Sequence, residues 1–197
     1  VWAPNLPEWV MLEFGCALAG VVLVTVNPAF RAQELEYVLK QSRSAGVFVV
    51  EAFRGNPMHA TLQKVAPACP ELRHVIVTGK AVGAAAAQPV HDWADALAAP
   101  ARASHRVIDS DVVAILYTSG STGKPKGVVL SHRNMVAGAK SVASYLENRS
   151  DDILLAVLPL SFDAGFSQLT TAFHAGASVV LLTSLMPKDV VKAIAQH

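Results

Sequence analysis

Residues 111–127 read DVVAILYTSGSTGKPKG, an apolar strand that runs directly into a loop of glycines, hydroxyl groups and lysines. The strand, predicted over 112–117, delivers the loop at 118–127 to the edge of a sheet. Glycine lacks a Cβ atom, so it adopts positive φ at little cost and lets the backbone approach a ligand closely. We therefore expect positive φ at the glycines of this loop, Gly120, Gly123 and Gly127.

The polar groups of this loop favour a polyphosphate ligand. Successive backbone N–H groups in a glycine-rich turn form a concavity that binds anions. Hydroxyl donors are supplied by Thr118, Ser119, Ser121 and Thr122. Lys126 adds a point charge suited to phosphate, and Pro125 restricts the backbone just before it.

Two other phosphate-binding patterns do not fit this loop. The Walker A pattern needs a glycine, four further residues, and then Gly-Lys-Ser or Gly-Lys-Thr. If Gly123-Lys124 were its end, Thr118 would stand where the first glycine belongs. Pro125 would also replace the hydroxyl residue. The dinucleotide-binding pattern G-x-G-x-x-G fails here as well.

Outward from the loop, apolar strands alternate with helices along most of the chain. This alternation predicts an α/β fold of layered, largely parallel sheets flanked by helices. Strands are predicted at 21–26, 47–50, 74–78, 112–117, 128–131, 153–158 and 177–182. Helices are predicted from Pro7 to near Gly20 and at 31–42, 57–66, 92–98, 134–146, 164–175 and 187–196.

The segment from 79 to about 106 interrupts the alternation. It contains the low-information run GAAAA at 83–87 and one short predicted helix. We predict that 79–106 is a connector between two subdomain portions, 1–78 and 107–197.

The amino-acid composition limits which kinds of protein this chain can be. Hydrophobic residues make up 52% of the chain and charged residues 16%, against a usual charged share of about 25%. This composition and the start at Val1 favour a piece of a larger protein whose remainder covers apolar faces. The net charge of +1 gives no field that would attract nucleic acid or an anionic membrane.

Cysteine usage and hydropathy bear on the compartment. Cys16 and Cys69 lack metal-ligand spacing and are expected to be reduced thiols in a cytoplasmic protein. The longest apolar stretch, 10–26, is interrupted by Glu13 and divided at Gly20. It therefore predicts a helix followed by a buried strand, and no membrane span.

The loop and its surroundings resemble a known enzyme superfamily. Residues 117–127, followed by VVLSHRN at 128–134, are similar to the signature of acyl-CoA synthetases, peptide-synthetase adenylation domains and luciferases. The segment WAPNLPEW at 2–9 resembles the first core region of that superfamily. Residues 20–28 and 34–39 resemble the next. The resemblance covers nearly the whole chain except about 79–106, and its motif is specific for the superfamily but not for the substrate.

The resemblance implies a two-step reaction with ATP, Mg²⁺ and coenzyme A. A carboxylate attacks the α-phosphorus of ATP to give an acyl-adenylate and pyrophosphate, and a thiol then takes the acyl group. Matched residue by residue, the nucleotide contacts are Thr118, Ser119, Gly120, Ser121, Thr122 and Lys126. Lys124 falls on a variable position of the signature. His132 matches a frequent family histidine but is predicted to pack before a helix capped by Asn134.

A second candidate site is LPLSFDAGF at 158–166. Many acyl- and aryl-CoA ligases carry an aromatic-histidine pair here that lines the acid pocket, and Phe162 takes the histidine's place. Ser161-Phe162-Asp163-Ala164 instead resembles amino-acid-adenylating domains, in which the aspartate holds the substrate ammonium. The alternative is that Asp163 only caps the helix predicted from residue 164. The apolar surroundings of Phe162 favour a fatty or other apolar acid.

By resemblance, 1–197 is the incomplete N-terminal part of an AMP-binding domain. The family's adenine, magnesium and ribose segments, and the C-terminal lid domain with its adenylation lysine, are expected beyond residue 197. We therefore expect no catalytic residue in this chain and no activity from it alone. Two other functions stay open: an amino-acid-adenylating domain that serves a carrier protein, and a non-catalytic nucleotide-binding module.

Overall fold

The computed structural model describes residues 1–78, 88–100, 105–118, 123–184 and 186–197. In these ranges the helices are α1 (Pro7–Ala19), α2 (Ala32–Ser42), α3 (Met58–Val65), α4 (Trp93–Ala98), α5 (His132–Tyr145), α6 (Asp163–Ala175) and α7 (Pro187–Gln196). The strands are β1 (Leu23–Thr25), β2 (Gly46–Val49), β3 (His74–Val77), β4 (Val90–Asp92), β5 (Val112–Thr118), β6 (Lys126–Ser131), β7 (Ile153–Ala156) and β8 (Ser178–Leu181). None of these helices is long and apolar enough to cross a membrane.

The described strands form three small sheets whose pairings are mostly parallel. The first has the order β1-β5-β6, the second β2-β3-β4, and the third pairs β7 with β8. Only β5 and β6 pair antiparallel within these sheets, because they form the hairpin that carries the glycine-rich loop. The predicted α/β class, with largely parallel sheets flanked by helices, is confirmed.

Trp2 links two of the sheets near the start of the chain. Its backbone forms isolated parallel bridges to Val26, just beyond β1, and to Val49 in β2. Its indole is fully buried and donates a hydrogen bond to the carbonyl of Asn27 at 3.0 Å. Trp9 is also fully buried and packs edge-on against Phe166 in α6. Two aromatic side chains of the first nine residues therefore anchor the core.

The ends of α1 follow from its sequence. Pro7 stands at the first helical position, where its missing N–H costs nothing and its fixed φ suits the helix. At the other end, Gly20 has a φ of 66°, the left-handed conformation that often ends helices. A Cβ at this glycine would lie 2.7 Å from the His105 ring, so a larger residue would also clash.

One predicted strand and one predicted helix illustrate how the predicted bounds differ from the structure. The strand predicted at 21–26 is shorter, because Val21 and Val22 are exposed and only Leu23–Thr25 pair with β5. Helix α5 begins at His132 and is capped by Ser131, so the prediction that Asn134 caps it is wrong. Asn134 instead completes a capping box by accepting a bond from the Ser131 backbone N–H at 3.0 Å.

The sequence did not predict β4. It lies within the segment 79–106 and pairs in parallel with β3, while Trp93 at the start of α4 packs against Phe48 of β2. Part of the predicted connector is therefore packed on the second sheet. Residues 79–87 and 101–104, including the alanine run, lie outside the described residues. The division into portions 1–78 and 107–197 stays a prediction.

Candidate functional site

The hairpin β5–β6 brings two predicted phosphate contacts together. Thr118 is the last residue of β5 and Lys126 the first of β6, and the antiparallel register places them directly opposite each other. The Thr118 hydroxyl lies 3.5 Å from the Lys126 carbonyl oxygen, and both residues are exposed. The other predicted contacts, Ser119, Gly120, Ser121 and Thr122, lie outside the described residues.

The two described glycines of the loop have different roles. Gly123 has a φ of 84°, as predicted. Gly127 lies in β6 without positive φ, so that part of the prediction is wrong. A Cβ at Gly127 would lie 2.7 Å from Cγ2 of Ile115 and 3.3 Å from the ring of Tyr117. Close packing across the hairpin, rather than backbone conformation, therefore requires glycine at 127.

Helix α2 supports the base of the loop. The Tyr117 hydroxyl donates to the Gln41 side chain at 2.8 Å, and burial raises the pKa of this phenol above its usual value. The ammonium of Lys124 lies 5.8 Å from the centre of the Tyr37 ring. A cation at this distance from an aromatic face is attracted to it. Lys124 thus contacts α2, whereas no described ion pair occupies Lys126.

Buried Asn5 holds the second candidate segment in place. Its side-chain N–H₂ donates to the carbonyls of Ala156, Leu158 and Leu182 at 3.3, 3.0 and 3.2 Å. Its side-chain oxygen accepts from the backbone N–H of Leu160 at 2.9 Å. One amide therefore fixes the backbone that follows β7 and β8.

Contacts with β1 and with α6 also fix the turn before α6. The Thr25 hydroxyl, at the end of β1, donates to the Ser161 carbonyl at 2.9 Å. A Cβ at Gly165 would lie 2.0 Å from the carbonyl oxygen of Pro159, so any side chain at 165 would force this turn apart. The hydrogen bond from Thr25 and the close approach of Gly165 to Pro159 therefore fix the position of Phe162.

Phe162 and Asp163 have different surroundings. Phe162 precedes the first residue of α6 and is 37% exposed at the rim of a cleft. Asp163 is the first helical residue and is exposed. Its carboxylate accepts no hydrogen bond from any described residue. The alternative that Asp163 caps the helix is therefore wrong, because Phe162 occupies the cap position. Asp163 does not line the cleft.

The cleft has a volume of about 380 Å³ and lies where several strands end. It is lined by Asn27 beyond β1, Phe53 and Arg54 beyond β2, Val157 beyond β7 and Leu182 beyond β8. Ligands of open α/β sheets bind outside the carboxyl ends of the strands. The Thr118–Lys126 pair of the hairpin lies at the same edge, since Thr25 of β1 is opposite Leu116 of β5, two residues before Thr118.

Two arginines make this cleft basic. The guanidinium of Arg31 donates to the Asn56 side chain at 3.2 Å, and that of Arg54 donates to the Thr183 carbonyl at 3.1 Å. Neither forms an ion pair with a described carboxylate. Their positive charge is therefore available to an anionic ligand.

Comparison with known proteins identifies the family of this chain. A profile of the AMP-binding enzyme family matches residues 1–197. The chain belongs to the AMP-binding enzyme family. The resemblance inferred from the sequence is confirmed.

Two curated relatives of the chain are named as CoA ligases. The chain is 30% identical to the 3-[(3aS,4S,7aS)-7a-methyl-1,5-dioxo-octahydro-1H-inden-4-yl]propanoyl:CoA ligase of Mycobacterium tuberculosis, over 100% of this chain and 39% of that protein. It is 32% identical to the mitochondrial medium-chain acyl-CoA ligase ACSF2 of Danio rerio, over 71% of this chain and 26% of that protein. The chain thus spans at most about two fifths of the length of these relatives.

Two solved structures share the fold of this chain. The apo structure of MbtA from Mycobacterium smegmatis superimposes with a TM-score of 0.84 at 27% identity, over 99% of this chain and 36% of that one. The anthranilate CoA ligase AuaEII, in complex with anthranoyl-AMP, gives a TM-score of 0.87 at 24% identity, over 98% and 37%.

Sequence reasoning about this AMP-binding chain missed Asn5, Arg31 and Arg54. A signal existed for the arginines, because both follow predicted strands and so had to lie at the ligand-binding edge. Asn5 gave no such signal. Its four bonds reach residues more than 150 positions away, and only the folded structure brings those together.

Proposed function

We propose that this chain forms part of an ATP-dependent, AMP-forming ligase that activates a carboxylic acid and passes the acyl group to coenzyme A. The observation that carries the proposal is the shared edge at which the Thr118–Lys126 hairpin and the basic cleft lie. Membership of the AMP-binding family and CoA-ligase relatives support it.

The described groups of the hairpin suit the phosphates of ATP. Thr118 offers a hydroxyl, Lys126 an exposed ammonium, and Gly123 a left-handed turn between them. Charge develops on the departing pyrophosphate during adenylation, and positioned donors and cations stabilise it. We propose that Lys126 supplies that charge, with Ser119, Gly120, Ser121 and Thr122 as further phosphate contacts. Mg²⁺ is commonly held by substrate phosphates with few protein ligands, which fits this arrangement.

The cleft suits the acid and the acceptor. Phe162 and Pro159 give it an apolar wall, which favours an acid with an apolar tail. Arg31 and Arg54 give it positive charge, which suits a carboxylate or the phosphate groups of coenzyme A.

The test is pyrophosphate release by the full-length protein with Lys126→Ala at saturating ATP. Losing one charged contact to the leaving group is expected to cost about 2–4 kcal/mol of transition-state stabilisation. Lys124→Ala is the matched control, because that ammonium lies against the Tyr37 ring and its loss should change the rate little. Equal rates for the wild type and Lys126→Ala would rule out the assigned role.

A second function is favoured by the free carboxylate of Asp163. An amino-acid-adenylating domain that serves a carrier protein would use an aspartate at this position to hold the substrate's ammonium group. Because Asp163 is exposed and bound to no described partner, it is free for such a role. Its absence from the cleft lining keeps this function second.

A further inference from the structure

Two histidines lie side by side at the surface of the second sheet. His74 is the first residue of β3, and His91 is the middle residue of β4. The centres of their imidazole rings are 5.7 Å apart, and the ring planes make an angle of 39°. Both residues are exposed. The parallel pairing of β3 with β4 thus brings together two side chains that ligate metals well.

The register of the strands puts both rings on one face of the sheet. Ile76 of β3 is directly opposite His91, and His74 shares the face of Ile76 because side chains alternate along a strand. On the other side of His74, its partner in β2 is Gly46, which carries no side chain. A Cβ at Gly46 would lie 4.0 Å from the Cβ of His74. The space beside the His74 ring is therefore open towards β2.

The ring nitrogens of both histidines are available to a ligand. Neither imidazole forms a hydrogen bond or an ion pair with any residue that the structure describes, and the contact between them is a contact of rings. A neutral imidazole nitrogen is the commonest metal ligand of proteins. Imidazole suits Zn²⁺, Cu²⁺ and Ni²⁺, whereas Mg²⁺ and Ca²⁺ prefer oxygen ligands.

The spacing of the rings fits one shared metal ion. With metal–nitrogen bonds of about 2.0–2.1 Å and bond angles of about 90–120°, two imidazoles on one ion have their ring centres about 4.5–5.5 Å apart. The observed 5.7 Å exceeds this range only slightly. Exposed side chains change rotamer within picoseconds to nanoseconds, so a small rotation of either ring closes the difference.

We infer that His74 and His91 together bind one divalent transition-metal ion, Zn²⁺, Ni²⁺ or Cu²⁺. Among the described residues, no third histidine, cysteine, aspartate or glutamate completes a group around them, so water fills the remaining coordination positions. The ion would join β3 to β4, a three-residue strand whose described sheet partner is β3 alone. Metal binding should therefore stabilise the packing of residues 90–92 on the second sheet.

This metal site is separate from the proposed ATP and acid sites. His74 begins β3 at the amino end of its strand, whereas the cleft lies beyond the carboxyl ends of the strands. Metal binding can therefore be measured without ATP or an acid, and its outcome does not depend on the proposed ligase activity.

The test is calorimetric titration of the untagged full-length protein with Zn²⁺. The wild type should bind one more Zn²⁺ ion than either His74→Ala or His91→Ala. Loss of one of two ligands should weaken binding by more than about tenfold, since loss of even an outer-shell partner costs about 10–100-fold. Cu²⁺ should bind more tightly than Zn²⁺. Its electron paramagnetic resonance spectrum should contain a component with two coordinated nitrogens that both variants lose.

His174→Ala is the matched control. It removes an exposed histidine from the last turn of α6 and should leave the number of bound ions unchanged. Thermal unfolding with a chelator present checks that each variant folds, and all midpoints should then equal that of the wild type because His74 and His91 are exposed. Zn²⁺ in place of the chelator should raise the midpoint of the wild type above those of His74→Ala and His91→Ala.

Two results would overturn the inference. One is a wild type that binds neither Zn²⁺ nor Cu²⁺. The other is equal stoichiometry and affinity in the wild type and in either His74→Ala or His91→Ala, which would place the bound ion elsewhere.

Discussion

The role of Asp163 distinguishes the two candidate functions, a ligase for apolar acids and an amino-acid-adenylating domain. As the first residue of α6 it lies where the positive end of the helix dipole stabilises a carboxylate. The helix dipole stabilises this carboxylate without any ligand. The carboxylate accepts no hydrogen bond from a described residue. Its side chain is therefore compatible with a structural role and with an ammonium-binding role.

Replacing Asp163 with asparagine tests which role applies. We expect Asp163→Asn to leave activation of apolar acids close to wild type, because the lost helix-dipole interaction, about 0.3–1 kcal/mol, lowers the stability of the fold and not the binding of such acids. A substrate panel of fatty acids and amino acids on the full-length protein measures this. If the wild type activates amino acids but not fatty acids, and the substitution abolishes that activity, the apolar substrate class is wrong.

The loop was the part of the site most predictable from single residues. Its glycine and hydroxyl pattern and the strand before it gave Thr118 and Lys126, which the hairpin places opposite each other. The reason for Gly127 was not predictable, because it depends on Ile115 and Tyr117 packing across the strand pair. Likewise, a cap at Asn134 and one at Ser131 are equally reasonable from sequence, since both side chains are good helix caps.

Among elements, the segment between β7 and α6 is shaped by its neighbours. Three carbonyls converge on the N–H₂ group of Asn5, a fourth bond runs from Leu160 to its oxygen, and Thr25 adds a bond to Ser161. The periodicity of the sequence predicted the helix and strands around this segment. It could not predict β4, because a three-residue strand beside an alanine run has no period of its own.

Asn5→Asp tests the importance of that convergence. A carboxylate of nearly the same shape would face three carbonyl oxygens without a proton to donate, so we expect a loss of several kcal/mol of stability. Asn5→Ala, which removes the bonds without adding charge, should cost less, about 1–3 kcal/mol. Urea unfolding of the full-length protein measures both. Equal stability of the two variants would contradict the assigned hydrogen bonds.

At the scale of the whole molecule, apolar surface is extensive on β6 and α5. Val128 and Val129 are 46% and 58% exposed on β6, and Val136 is 51% exposed on α5. The low charged share of the sequence predicted such surface, since too few polar residues exist to cover it. That the rest of a longer protein covers these faces stays a prediction.

Global stability should depend on pH through Glu13. Its carboxyl has a pKa of about 8 in the folded state against 4.5 normally, so the folded state keeps a proton that the unfolded state releases. The free energy of unfolding should therefore fall by about 1.4 kcal/mol per unit as pH rises from about 4.5 to 8.

Glu13→Gln isolates the contribution of the acid, because every other titratable group is kept. The difference in unfolding free energy between this variant and the wild type should grow in favour of glutamine from pH 5 to pH 8. Urea unfolding of the full-length protein at several pH values measures it. Parallel pH profiles for the two proteins would mean that Glu13 is not held protonated by burial.

The bonds of Asn5 also set an order of events during synthesis. Asn5 and Leu182 are separated by 177 positions, so their contact cannot form until residue 182 has been made. At roughly 5–20 residues per second, the ribosome needs about 9–35 s for that interval. Until residues 156–160 have been made, the amide of Asn5 has none of these hydrogen-bond partners. Contacts of such sequence separation slow folding, so the turn that carries Phe162 should be among the last of the described parts to order.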